Sequence, residues 1–156
     1  MNQITTQYVT ENGACYEQYV ITDPAAKTSL TITPERGGMI TGFTLDGDEY
    51  IWTRRPNFSE CNRPRFGVPV LFPSCGNPDG GVHNFDGKAY PMETHGFADL
   101  CGWDVESVGP DGVTLALEST PLTKFLYPFD FTLLVNYNLE GNKAAISLTV
   151  INEGDK

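Results

Sequence analysis

The residues equipped for chemistry crowd into positions 63–103. Arg63 and Arg65 flank Pro64, and His95 follows a Gly/Asp-rich loop and a short hairpin signal. An imidazole has an unperturbed pKa of about 6.5 and can hold or release a proton near neutral pH. A guanidinium offers a fork of N–H donors to hydroxyls or anions. Together they suit a small polar substrate that must be both held and protonated or deprotonated. Phe72, Phe97 and Trp103 share the stretch and could offer ring faces to a ligand, although aromatics beside Pro and Gly commonly serve as core. The plainer readings are a core histidine at 95 and surface arginines answering an acidic chain. His83 reads as a solvated loop residue, and no local pattern marks Asp79, Glu93 or Asp99 as a base.

Pro64, Pro69, Pro73, Pro78 and Pro91 each fix φ and withhold an N–H, so the stretch is neither a helix nor an uninterrupted central strand. Strands must therefore hold it from outside. Leu30 and Ile32 alternate with Ser29, Thr31 and Thr33, and residues 16–21 form another extended run. Asp46-Gly47, Asp86-Gly87 and Asp111-Gly112 are hairpin turns joining 39–45 to 49–52, 83–85 to 88–90, and 103–108 to 113–118. In residues 129–139, Phe129, Phe131, Leu133, Val135, Tyr137 and Leu139 fall on one face. After Glu140-Gly141-Asn142, Ala144, Ile146, Leu148 and Val150 line one face of a return strand. No window sustains a helical stripe. Many short antiparallel strands with turns between them imply two packed sheets, an all-β sandwich.

The 156 residues suffice for one domain and are short for two, so 1–156 reads as a single unit. Lys plus Arg number 10 against 20 Asp plus Glu, a formal charge of -10. Such a surface repels phosphate backbones and anionic lipid, which argues against nucleic acid or membrane as partner and toward a neutral ligand. The first residues carry no secretory signal in this numbering and no run of apolar residues is long enough to span a bilayer, so the expected location is cytoplasmic. Cys15, Cys61, Cys75 and Cys101 contain no Cys-x-x-Cys pair and only two histidines are present, so reduced structural thiols are expected rather than a metal site. Asn57-Phe58-Ser59 matches the glycosylation triplet by chance.

The run Arg65-x-Gly67-Val68-Pro69-Val70-Leu71-Phe72-Pro73, then Gly76, Phe85-Asp86-Gly87-Lys88-x-Tyr90, and His95-Gly96-Phe97-Ala98 ahead of Trp103, resembles the aldose 1-epimerase (mutarotase) family. Arg36-Gly37-Gly38-Met39-Ile40, Glu49-Tyr50-Ile51-Trp52, Tyr127-Pro128-Phe129 and Val150-Ile151-Asn152 extend the likeness in order along most of the chain. The resemblance implies a galactose mutarotase-like supersandwich and interconversion of the α and β anomers of a hexose by acid–base ring opening. That chemistry needs one acid and one base and no metal or organic cofactor. It makes His95 a pocket histidine that donates a proton or a hydrogen bond. Arg65 becomes the arginine that binds sugar hydroxyls, with Arg63 a weaker candidate beside it.

Three departures qualify what is carried over. Family members acting on hexose 6-phosphates read His-Gly-Phe-Ala-Arg, whereas position 99 here is Asp99, which would repel phosphate and points to a free sugar. Phe66 stands where the family has a second glycine and would crowd the backbone's approach to substrate. The family's second histidine and its glutamate base lie later in a longer chain, and no histidine follows His95 here. The sequence thus resembles an N-terminal portion, an incomplete sandwich expected to be inactive alone. Its uncovered edges would favour self-association or a complementing chain. The rival expectation is a noncatalytic carbohydrate-binding β-sandwich.

Overall fold

The computed structural model describes residues 1–53, 57–59, 63–110 and 112–155. Cys61, the Asp111 side of the third Asp-Gly turn and Lys156 lie outside the described residues. The strands are β1 (Gln3–Glu11), β2 (Ala14–Asp23), β3 (Thr28–Thr33), β4 (Met39–Leu45), β5 (Asp48–Glu49), β6 (Val82–Phe85), β7 (Lys88–Pro91), β8 (Asp104–Gly109), β9 (Gly112–Glu118), β10 (Phe131–Glu140) and β11 (Lys143–Asn152). They form a five-stranded meander ordered β1 to β5, a four-stranded sheet ordered β11-β10-β9-β8, and the separate hairpin β6-β7. Every ladder pairing between these strands is antiparallel. Short 3₁₀ turns are the only helical elements among the described residues.

The two large sheets pack face to face, with β10 lying over β2 and β3. Alternation produces this arrangement. Leu30 and Ile32 of β3 point inward against Leu133, Val135 and Tyr137 of β10 and Leu115 of β9, and all six are fully buried. A polar stitch crosses the core, where the Tyr137 hydroxyl donates to the Gly38 carbonyl at 2.7 Å. Burial raises the Tyr137 hydroxyl pKa above its ordinary value. Thr28 Oγ1 donates to the Gly141 carbonyl at 2.7 Å and Asn2 Nδ2 to the Leu139 carbonyl at 2.8 Å, tying the sheets at one end.

Four expectations shift. β1 exists although residues 3–11 are mostly exposed, with only Ile4, Val9 and Glu11 partly buried and no alternation, because β2 supplies its complete ladder. β5 is two residues long, so residues 50–52 leave the sheet as an ordered loop. Phe129 precedes β10 and joins a satellite cluster with Phe85 and Tyr127. β11 has Ile146, Leu148 and Val150 half exposed, since β10 rather than β11 faces the first sheet. No helix among the described residues is long and apolar enough to cross a membrane.

Candidate functional site

Two loops build the site, residues 63–81 between β5 and β6 and residues 92–103 between β7 and β8. The first is fastened to β4, where Val68 N–H donates to Ile40 O at 2.9 Å, and to the loop after β5, where Gly67 N–H donates to Trp52 O at 3.0 Å. The second crosses it. Phe97 and Ala98 N–H groups both donate to the Phe72 carbonyl, at 2.9 and 3.2 Å, and Phe72 pairs with Gly96 in a short parallel bridge. Gly96 permits this crossing. Its φ is 75°, and a Cβ there would overlap the Phe72 carbonyl. The Gly37-Gly38 pair serves similarly below, where added Cβ atoms would strike the Asp99 carbonyl and the Trp103 ring.

His95 sits at the crossing with φ 73°, a left-handed conformation uncommon for a residue with a side chain. Its N–H donates to Gly76 O at 3.1 Å, and its Nδ1 lies 3.0 Å from the Cys75 carbonyl. A carbonyl only accepts, so Nδ1 carries the proton in that bond and Nε2 is the nitrogen left to exchange one. The ring is half-buried on the wall of a cavity of about 1100 Å³, which Arg63, Arg65, Phe97 and Asp99 also line. That volume slightly exceeds the usual range for small-molecule pockets, roughly 300–1,000 Å³.

The two arginines part company here. Arg63 Nη1 donates to both carboxylate oxygens of Asp99, at 2.6 and 2.7 Å, while Nη2 donates to the Gly96 carbonyl at 2.7 Å and lies 3.6 Å from Glu93. Arg63 therefore braces the His95 loop from both sides and has little left for a ligand. Arg65 is exposed on the cavity rim, with no hydrogen bond or ion pair among the described residues. Asp99, 1% exposed, does not present a bare charge to the cavity as its sequence position implied. Burial pushes its carboxyl above the usual range, and the Arg63 guanidinium pulls against that shift without cancelling it.

Of the three aromatics, Phe97 reaches the cavity wall, though it is itself buried. Phe72 and Trp103 do not line it. Phe72 packs among Phe97, Tyr127 and Phe131, and Trp103, 3% exposed, donates its Nε1–H to Ala98 O at 3.0 Å. Phe66, expected to crowd the site, instead stacks on Phe58 in a separate small cluster with Met39. Asn77 and Thr94, paired at 2.9 Å, line the cavity without having been singled out from sequence. Thr94 is next to His95 in the chain, which was an available signal, whereas Asn77 is distant in sequence and carried none. His83 lies in β6 with its ring against Phe85. Cys15 and Cys75 are exposed free thiols rather than packed ones, and Cys101 is half-buried.

The sequence profile of the aldose 1-epimerase family matches residues 17–156. Among solved structures, the chain is similar to the Slr1438 protein from Synechocystis sp. PCC 6803, with 32% identity, a TM-score of 0.84, and coverage of 88% of this chain and 49% of that one. It is also similar to a galactose mutarotase related enzyme from Lactobacillus acidophilus (28% identity, TM-score 0.77, covering 88% and 44%). A galactose mutarotase-like protein from Lactobacillus casei matches at 28% identity and TM-score 0.75, covering 89% and 45%. No curated protein matches the chain. The chain thus spans about half the length of the structures it resembles, consistent with an N-terminal portion of their galactose mutarotase-like fold. By the profile match and this shared architecture, the chain belongs to the aldose 1-epimerase family.

Proposed function

We propose that this chain carries the sugar-binding and proton-donating part of a mutarotase-like site for a free hexose. The observation that carries the proposal is the pairing of roles at one cavity, where His95 keeps Nε2 available while Arg65 keeps its donors uncommitted. Anomer exchange begins when the ring oxygen gains a proton and the C1 hydroxyl loses one. The C1–O5 bond breaks, C1 becomes a carbonyl carbon, rotation about C1–C2 exposes the other face, and reclosure returns both protons. Protonated His95 delivers the first proton from Nε2 and recovers it on closure. Arg65 holds sugar hydroxyls, and a neutral sugar suits a cavity whose other buried charges, Arg63 and Asp99, cancel each other.

The base is the weaker half of the site. Asp99 is engaged by Arg63, and Glu93 is largely exposed and also turned to Arg63, so neither carboxylate faces His95 as a free acceptor. This favours a second reading in which the chain by itself binds carbohydrate without turning it over. The unpaired outer edge of β11, with its half-exposed apolar residues, supports self-association or a complementing chain. Exposed free thiols at Cys15 and Cys75 suit the reducing cytoplasm and a place in carbohydrate metabolism there.

Titration with D-glucose and D-galactose, followed by ligand-observed NMR, tests the reading. Saturable binding weakened by Arg65→Met supports it, and no saturable binding of either hexose refutes it. In polarimetry of freshly dissolved α anomers, the chain alone is expected to accelerate relaxation little or not at all. His95→Asn, which tolerates positive φ but cannot shuttle a proton, should erase any acceleration that is seen.

A further inference from the structure

We infer that β11 is the contact between two copies of this chain, paired antiparallel about a two-fold axis at Leu148 so that their four-stranded sheets join edge to edge. The inference makes the self-association reading above specific. It stands apart from the sugar-binding reading, because no residue of β11 lines the His95 cavity.

The inner face of β11 is a core face left open. Antiparallel partners point to the same side of a sheet, and the ladder sets Ile146 opposite Tyr137, Leu148 opposite Val135 and Val150 opposite Leu133. Those partners are at most 1% exposed, whereas Ile146, Leu148 and Val150 are 50%, 52% and 54% exposed. The apolar stripe thus runs one strand past the cover that the first sheet provides. The outer edge of the same strand is open too, since no described strand pairs with it.

The remaining edges are less suited to pairing. β8 carries Asp104 and Glu106 and a register shift between Val105 and Ser107, and β5 is two residues long. β1 is unbroken but exposes mainly threonine and glutamine. β11 has no proline and no acidic residue, its ladder with β10 runs without a shift, and its single charge is Lys143 at the start. Sheet edges that stay unpaired are commonly blunted by charges, proline or bulges, which β11 lacks beyond that lysine. In a chain of net charge -10, a ten-residue edge without a carboxylate has the charge depletion of an interface core.

Self-pairing has a register that satisfies shape and charge together. With Leu148 opposite its own copy, Ile146 falls opposite Val150 and Lys143 opposite Glu153, each twice by symmetry. Three aliphatic side chains from each copy then form one stripe on the inner side, and an ion pair closes each end. Lys143 makes no ion pair among the described residues. Glu153 is exposed, and its Oε1 accepts from Thr132 Oγ1 at 3.0 Å, with Oε2 facing no described partner. Pairing of this length supplies about ten main-chain hydrogen bonds, as many as an ordinary interface holds. The like net charge of the copies opposes the contact, but salt at physiological strength screens it beyond about 8 Å.

The test uses the whole chain. Sedimentation equilibrium should show a concentration-dependent monomer–dimer exchange. In a Cys15→Ser, Cys61→Ser, Cys75→Ser background, Leu148→Cys should form a disulfide dimer on mild oxidation, because residues opposite each other in a ladder have Cα atoms about 4.5–5.5 Å apart. Ile146→Cys in the same background should not, since two-residue offsets on both strands put its copies roughly 13 Å apart. Lys143→Glu should weaken the dimer about fivefold to tenfold, and adding Glu153→Lys should restore it. Trp103 fluorescence checks that each variant is folded. A chain that stays monomeric at every concentration overturns the inference, leaving the edge to a different partner. Equal cross-linking through positions 146 and 148, or assemblies larger than a dimer, also overturn it, the first by denying the register and the second by showing that a further edge pairs.

Discussion

Replacing Arg63 by methionine removes two hydrogen bonds to a carboxylate that is 1% exposed and a third to the Gly96 carbonyl. Breaking a buried ion pair from one side costs about 3–5 kcal/mol, because the remaining charge stays buried without a partner. Arg63 is itself 17% exposed, so water can reach part of the vacated space, and the lower end, about 3 kcal/mol, is the expected loss. Against a total stability of roughly 5–15 kcal/mol for a domain, that is a large share. The loss should depend on pH. In the folded chain burial already holds the Asp99 carboxyl above its ordinary range, so the folded state binds that proton more tightly than the unfolded state. Stability tied to this group is fully present below the unfolded carboxylate pKa and declines as pH rises through the higher folded value. Without Arg63 the folded value climbs further, so the variant should be closest to the parent in acid and furthest from it near pH 8. Urea unfolding at several pH values, followed by the buried Trp103, measures this. Adding Asp99→Asn should recover about 1.5 kcal/mol or more of the loss near pH 8. A loss under about 1 kcal/mol near pH 8, or one that does not vary with pH, would refute the brace.

Gly96→Ala should destabilise by more than about 3 kcal/mol, because it combines a positive φ with overlap on the Phe72 carbonyl; thermal unfolding checks it. Tyr137→Phe should cost about 1 kcal/mol for the lost bond to Gly38. Burial raises the Tyr137 pKa, so its stabilisation is present below the unfolded value of about 10 and lost above it. The phenylalanine variant should therefore show a shallower alkaline decline in denaturation midpoint. Leu148→Lys on β11 should reduce any concentration-dependent self-association seen by sedimentation, and an unchanged profile would place the contact elsewhere.

Hairpins announced themselves in the sequence wherever an Asp-Gly pair separated two extended runs, and β10 was legible because burial on one side enforces period two. β1 was not, since a mostly exposed strand whose partly buried Ile4 and Val9 fall on opposite faces has no hydrophobic rhythm to display. At the site, His95 and Arg65 could be singled out through the motif that contains them, and both line the cavity. The distinct fate of Arg63 could not be read, because its partner Asp99 is 36 positions away and their pairing exists only once the two loops have crossed. Trp103 illustrates the converse. Its proximity to the motif suggested a ligand contact, while Gly37-Gly38 opens a slot beneath it that draws the ring into the core.

The seam joining the two loops runs through main-chain atoms, with the Phe72 carbonyl taking two N–H groups and the Gly76 carbonyl taking that of His95. Side chains on the surrounding wall, such as Leu71, Asn77 and Thr94, contribute nothing to those backbone links. Mutation can therefore redecorate the mouth of the hollow one residue at a time while the imidazole keeps its place, which gives selection a route to new ligand preferences on an unchanged scaffold.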